Sequence, residues 1–165
     1  MAKKDITNTD LVKIEPITDN QKLVFDSYAK GQHQFMFGSA GTGKTFISLY
    51  LALSEVLRDD TKYDKVVLVR SLIPTREIGF LPGDEEDKAA LYQVPYQNMV
   101  KFMFKQANEQ AFSMLYDRLK QQGSFYFLST SFIRGLTFDN SIIILDEFQN
   151  LNFHELDTII TRVGK

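Results

Sequence analysis

No cysteine occurs among the 165 residues, which excludes disulfide frameworks, cysteine-ligated zinc, iron–sulfur clusters and cysteine nucleophiles. Only two histidines are present, His33 and His154, too few for a multi-histidine metal site. No apolar run approaches the roughly 20 residues needed to span a bilayer. The first fifteen residues, MAKKDITNTDLVKIE, are too polar for a secretory leader, so the expectation is a soluble, cytoplasmic chain with no membrane partner. A large excess of one charge is missing too. The net charge is −2, and nucleic-acid binding would have to rest on a local basic groove rather than on the field of the whole molecule. Internal repeats and low-complexity tracts are also lacking.

What is present fits one globular domain. Hydrophobic residues make up 44% and charged residues 24%, which argues against wholesale disorder, and the length suffices to bury a core without staples. Residues 1–15 read as a polar, mobile N-terminal tail and 16–165 as the domain. Pro16 and Thr18-Asp19 mark a helix start, with Leu23, Val24 and Tyr28 on one face and Gly31 as the stop. Residues 34–37 (QFMF) predict a short buried strand, and residues 44–57 repeat apolar positions at helical spacing. The run KVVLV at 65–69 predicts a strand covered on both faces. A long connection at 71–87 contains Pro74, Gly79, Pro82 and Gly83 and ends in acidic residues. Helices are expected at 92–108 and 109–121, the second with an apolar face of Ala111, Met114, Leu115 and Leu119. Strands at 124–128 and 141–145 and a helix at 151–163 complete the pattern. Strands alternating with helices indicate an α/β domain with a mostly parallel sheet.

The chemistry is carried first by Gly38-Ser39-Ala40-Gly41-Thr42-Gly43-Lys44-Thr45, which fits the phosphate-binding pattern G-x-x-x-x-G-K-[ST]. Glycines allow a tight loop whose backbone N–H groups turn inward around phosphate oxygens. The helix opening near Lys44 adds its positive end. Lys44 is placed to reach the β- and γ-phosphates of a nucleotide, and the Thr45 hydroxyl to ligate Mg²⁺. Four fixed positions would coincide by chance in under about 1% of chains this long. The loop also follows an apolar run and opens an amphipathic helix, as the motif requires.

The second half is Ile142 to Leu145 followed by Asp146-Glu147. At the carboxyl end of a central strand, Asp146 can hold Mg²⁺, while Glu147 can orient and deprotonate an attacking water. An apolar run ending in Asp-Glu is weak alone and strong beside a phosphate loop. A water-activating carboxylate favours a hydrolase over a kinase, which must exclude water.

These residues resemble the PhoH family of P-loop ATPases, related to superfamily 1 helicases. The resemblance rests on GSAGTGKT at 38–45, VLVRSLIP at 67–74, IGFLPGD at 78–84, FIRGLTF at 132–138, IIILDEFQN at 142–150 and TRVG at 161–164. It covers about 20–164, and the family typically has alanine where this chain has Phe148. The resemblance implies a RecA-like three-layer fold and an Mg²⁺-dependent ATPase coupled to RNA or single-stranded DNA, working as a ring of identical subunits. It implies that Gln21 reads adenine and that Gln149 couples the γ-phosphate to neighbouring motifs. Without the family, Gln21 reads as an exposed polar residue on a helix and Gln149 as a loop residue before the last helix. The resemblance further implies a next strand, with a γ-phosphate sensor, lying between the phosphate-loop strand and the Asp-Glu strand. The expectation is therefore a domain lacking its C-terminal strands, a fragment of a longer protein or one whose missing strand comes from another chain. Either way, two strand edges would lie unpaired.

The remaining candidates have plainer alternatives. Arg70 and Arg134 lie beside strand ends, where they could meet nucleic-acid phosphates or a neighbouring subunit's nucleotide, or simply form surface ion pairs. Residues 78–84 suggest a structural or subunit-contact loop. His33 is expected to be partly buried beside the first strand, and His154 on the surface. Phe102-Met103-Phe104 fits core packing better than a base-stacking platform, and Asp84 to Asp87 fits a helix N-terminus better than a second metal site. Two further classes of function compete with the nucleic-acid-coupled ATPase. One is an ATP-binding switch or interaction module with little turnover; the other, ranked last, is an enzyme acting on a metabolite.

Overall fold

Continuous burial along the central strand, shared alternately between two faces, sets the layers. The computed structural model describes residues 5–71, 85–130, 133 and 135–164, with the backbone alone for 85–89. In β1 (Lys65–Arg70), Val66 and Leu68 enter one apolar cluster and Val67 and Val69 another. Opposite faces of a pleated strand produce this split. A strand buried on both faces needs the continuous apolar run that 65–69 supplies.

β1 lies between β2 (Phe125–Ser129) and β3 (Ser141–Asp146), parallel to both, in the order β2-β1-β3. The register sets Arg70 opposite Ser129 on one side and Asp146 on the other, so these side chains gather at the carboxyl end of the sheet. One sheet face is covered by α2 (Lys44–Val56), α3 (Glu85–Phe104) and α4 (Glu109–Gln121). Leu53, Val56, Val100, Met103 and Leu119 from these helices meet Val66, Leu68 and Phe125 there. On the other face Ile133, Phe138 and Ile159 of α5 (Phe153–Ile160) pack on Val67 and Val69. The result is a three-layer α/β arrangement around a parallel sheet. Among the described residues no helix is long and apolar enough to cross a membrane.

Several expectations need correction. Residues 34–37 do not form a strand, and Phe35 and Phe37 stand 69% and 84% exposed. An apolar run becomes a strand only by pairing with a neighbour, and among the described residues β3 pairs with β1 alone while 34–37 pairs with no strand. The segment before α1 (Asp19–Ala29) is docked rather than mobile from residue 5. Ile6 is buried, Asn8 N–H donates to Leu57 O at 3.1 Å, Val12 N–H to Met103 O at 2.7 Å and Ile14 N–H to the Tyr50 hydroxyl at 3.1 Å. α1 itself starts where Thr18 caps it, its Oγ1 accepting from Gln21 N–H at 3.2 Å. Of its expected apolar face Val24 and Tyr28 are half-buried, while Leu23 is exposed. α4 buries Leu119 and packs Leu115 on the core as expected, but it also buries Phe112 and Tyr116 while Met114 faces solvent, so the buried face is rotated slightly from the expected one. Phe102 is exposed while Met103 and Phe104 are core, and His33 is exposed rather than partly buried. His154 is exposed, as expected. α3 begins at Glu85, inside the expected 71–87 connection, and α5 is shorter than 151–163.

The end of α5 is tied to the segment before β3 by an isolated parallel backbone bridge. Phe138 N–H donates to Arg162 O at 2.9 Å, and Gly164 N–H donates to Phe138 O at 3.1 Å. A Cβ on Gly164 would lie 1.8 Å from Asp139 Oδ1 and 3.0 Å from the Asp139 Cα. The side-chain oxygen can swing away, but the backbone atom cannot. Gly164→Ala is therefore expected to lower stability by about 1–3 kcal/mol, read by equilibrium denaturation. An unchanged midpoint would show that the bridge yields freely.

Candidate nucleotide-binding site

The loop at 38–45 takes a path that its glycines make possible. Gly41 and Gly43 have φ of +76° and +82°, where a side chain costs about 1–2 kcal/mol. Gly43 is the residue preceding α2, so the unpaired N–H groups of the first helical turn face the loop and its exposed Ser39, Ala40 and Thr42. Lys44 Nζ donates to Gly38 O at 3.0 Å and to Ser39 O at 2.7 Å, and Thr42 Oγ1 donates to Ser39 O at 3.0 Å. The ammonium group thus spans the loop from its first residue to its helix.

Two motifs far apart in the chain meet at the next residue. Thr45 Oγ1 donates to Asp146 Oδ1 at 2.8 Å across a separation of 101 residues. α2 and β3 deliver these groups, since the helix starts and the strand ends at the same edge of the sheet. A hydroxyl and a carboxylate oxygen side by side form a donor set suited to a hard divalent cation. The other carboxylate oxygen, Asp146 Oδ2, accepts from the Tyr96 hydroxyl of α3 at 2.7 Å.

Glu147 follows with φ 52° and ψ 40°, left-handed backbone that a non-glycine residue rarely adopts. The turn lifts its carboxylate out of the strand line, and the side chain is exposed. Gln149 Nε2 donates to Glu147 Oε2, so these two predicted residues are brought together. Phe148 between them packs on Phe35 with ring centroids 4.9 Å apart. Gln21 stands beside the loop as well. Its Oε1 accepts from Ile17 N–H at 2.7 Å, and its Nε2 lies 4.0 Å from where a Cβ on Gly43 would be.

Arg70 occupies a place that composition did not suggest. Its Nη1 donates to the Tyr96 hydroxyl at 3.1 Å, and its guanidinium lies 5.4 Å from the Tyr92 ring centroid and 5.8 Å from that of Tyr96. Tyr96 was read only as part of a helix. The available signal was the i, i+4 spacing of Tyr92 and Tyr96, which puts both on one helix face. Burial, reinforced by the charge and hydrogen bond of Asp146, pushes the Tyr96 phenol well above the ordinary tyrosine range, although Arg70 opposes the shift. The hydroxyl therefore stays protonated and remains a donor. Arg134 and residues 78–84 lie outside the described residues.

Comparison with known proteins places the chain in a family. The family model described as PhoH-like protein matches residues 13–165. Protein PhoH2 of Bacillus subtilis (strain 168) is 34% identical over 131 residues, 79% of this chain and 29% of that protein. Protein PhoH of Escherichia coli (strain K12) is 33% identical over 133 residues, 79% of this chain and 35% of that protein. A PhoH-like protein of Synechocystis sp. (strain ATCC 27184 / PCC 6803 / Kazusa) is 30% identical over 149 residues, 89% of this chain and 42% of that protein. The chain thus spans well under half the length of these three relatives. With the matched region taking in the phosphate loop, the parallel sheet and the Thr45–Asp146 contact, the chain belongs to the PhoH-like protein family of P-loop NTPases.

Proposed function

We propose that this chain binds ATP with Mg²⁺ at the 38–45 loop and hydrolyses it, and that the cycle remodels or moves along RNA or single-stranded DNA. The observation that carries the reading is the hydrogen bond between Thr45 and Asp146. It brings a phosphate loop and a carboxylate-ended strand to one point, with Glu147 next in the chain. In this reading the inward N–H groups of residues 38–45 and the Lys44 ammonium hold the phosphates, and Gln21 contacts the adenine. Thr45 and Asp146 hold Mg²⁺, which offsets phosphate charge when bound. Glu147 takes a proton from the attacking water, and Gln149 holds the Glu147 carboxylate in place. A ring of subunits, and a further strand along the open edge of β3, belong to the same proposal, because an unpaired edge presents free N–H and C=O groups.

One observation favours a second reading, an ATP-binding switch with little turnover. Glu147 and Gln149 are exposed, and among the described residues no strand lies beyond β3. Among the described residues the Glu147 carboxylate is open to solvent. The deciding measurement is ATP turnover with and without Mg²⁺, in the presence and absence of single-stranded RNA and DNA. Turnover that requires Mg²⁺ and rises with one nucleic acid supports the first reading. Tight ATP binding with negligible turnover under every condition supports the switch.

A further inference from the structure

The Asp146 carboxylate is gripped on both sides. Thr45 Oγ1 donates to one oxygen at 2.8 Å, and the Tyr96 hydroxyl donates to the other at 2.7 Å. Tyr96 is 1% exposed, so this hydrogen bond is shielded from water, where a polar contact is strongest and its loss most costly. The ring is held by Phe127 of β2, with centroids 5.6 Å apart. The hydroxyl is held by Arg70 Nη1 at 3.1 Å. Arg70 and Asp146 are register partners on adjacent strands, close enough for a direct ion pair to be the simple arrangement. Tyr96 is instead interposed as a neutral donor.

That arrangement has a chemical consequence. A guanidinium bonded directly to Asp146 would occupy carboxylate lone pairs and compete with a cation. A tyrosine hydroxyl occupies one lone pair of Oδ2 and fixes the carboxylate plane, leaving Oδ1 turned toward Thr45. Arg70 is in turn kept away from the carboxylate by the faces of Tyr92 and Tyr96.

We propose that Tyr96 is a positioning residue for cation binding: it orients Asp146 so that Oδ1 and the Thr45 hydroxyl present a ready pair of oxygen donors, and Arg70 holds the tyrosine in that pose. The inference rests on the reading of Asp146 as a cation ligand. It also couples the seating of α3 to the nucleotide site, since Tyr96 is the point where that helix touches the carboxylate.

The test reads binding rather than turnover. A fluorescent ATP analogue is titrated into the wild-type chain and into Tyr96→Phe, once with excess Mg²⁺ and once with EDTA. Tyr96→Phe keeps the ring packed on Phe127 and deletes only the hydroxyl. The affinity in EDTA is expected to match wild type, while the gain produced by Mg²⁺ falls about tenfold or more, the usual cost of removing a group that orients a metal ligand. Tyr116→Phe serves as control, because that tyrosine is also buried but packs on Phe112 and Phe125; its Mg²⁺ gain should equal wild type. An equal gain in Tyr96→Phe and wild type overturns the proposal, as does an equal loss in Tyr116→Phe. No Mg²⁺ gain in wild type means that the cation reading of Asp146 itself has failed. If Tyr96→Phe does not fold, Arg70→Gln takes its place. Loss of the Mg²⁺ gain there supports the proposal, and an unchanged gain overturns it.

Discussion

Glu147→Gln is expected to keep ATP affinity within about twofold of wild type and to lower turnover by about 10²–10⁴-fold, the usual contribution of a positioned general base. Glutamine preserves the shape and the link to Gln149 but cannot take a proton. Single-turnover hydrolysis beside equilibrium binding measures the two effects separately. Normal hydrolysis by Glu147→Gln would place the base elsewhere. The backbone supplies an independent argument for function at this position. Glu147 sits in left-handed conformation, a strain of about 1–3 kcal/mol for a side-chain-bearing residue. Glycine would adopt that turn without strain, although its looser unfolded state returns about 0.4–1 kcal/mol of the gain. Glu147→Gly is therefore expected to be as stable as wild type or slightly more so, and inactive. A carboxylate retained where glycine would fold as well marks a residue kept for chemistry rather than for the fold.

The parts of this fold legible in the sequence are those decided by local pattern. β1 and β3 fall within a residue of their expected ends because unbroken apolar runs need burial on both faces. α1 starts at its expected cap because Thr18 satisfies a backbone donor that no helical partner reaches. The 38–45 loop that opens α2 and the strand ending at Asp146 were legible for the same reason, since each is a short local pattern. That Thr45 and Asp146 touch was not legible from spacing alone. It follows from α2 and β3 converging at one sheet edge.

What was misread depends on partners distant in sequence. Residues 34–37 carry a strand's apolar pattern but pair with no strand among the described residues. In α4, periodicity permits two stripes, and the choice of Phe112, Tyr116 and Leu119 over Met114 is made by Phe125 of β2 beneath them. The polar composition of 5–14 hid its docking, because the hydrogen bonds that hold it run to backbone atoms and to the distant side chains of Tyr50 and Gln122. Tyr96 was invisible as a site residue for a related reason. A tyrosine at helical spacing reads as core, and its hydroxyl gains a role only when the fold sets it against Asp146 and Arg70.

Lys44→Ala is expected to weaken ATP binding by about 100-fold. A hydrogen bond from a charged group contributes about 1.5–3 kcal/mol, and each 1.4 kcal/mol is a factor of ten in affinity. The ammonium does not come to phosphate free of other contacts. It already donates to Gly38 O and Ser39 O, and exchanging these neutral acceptors for anionic oxygens leaves a net effect of about 3 kcal/mol rather than the sum of both contacts. A thermal-shift titration makes the difference visible. ATP at one hundred times the wild-type dissociation constant should stabilise wild type by about 2.7 kcal/mol and Lys44→Ala by about 0.4 kcal/mol. Without ligand the variant loses the ammonium's grip on the loop carbonyls, which are exposed and can turn to water, so its own melting point should move little. Equal stabilisation of the two proteins by ATP would remove residues 38–45 as the phosphate site and, with them, the reason for reading Thr45 and Asp146 as a cation pair.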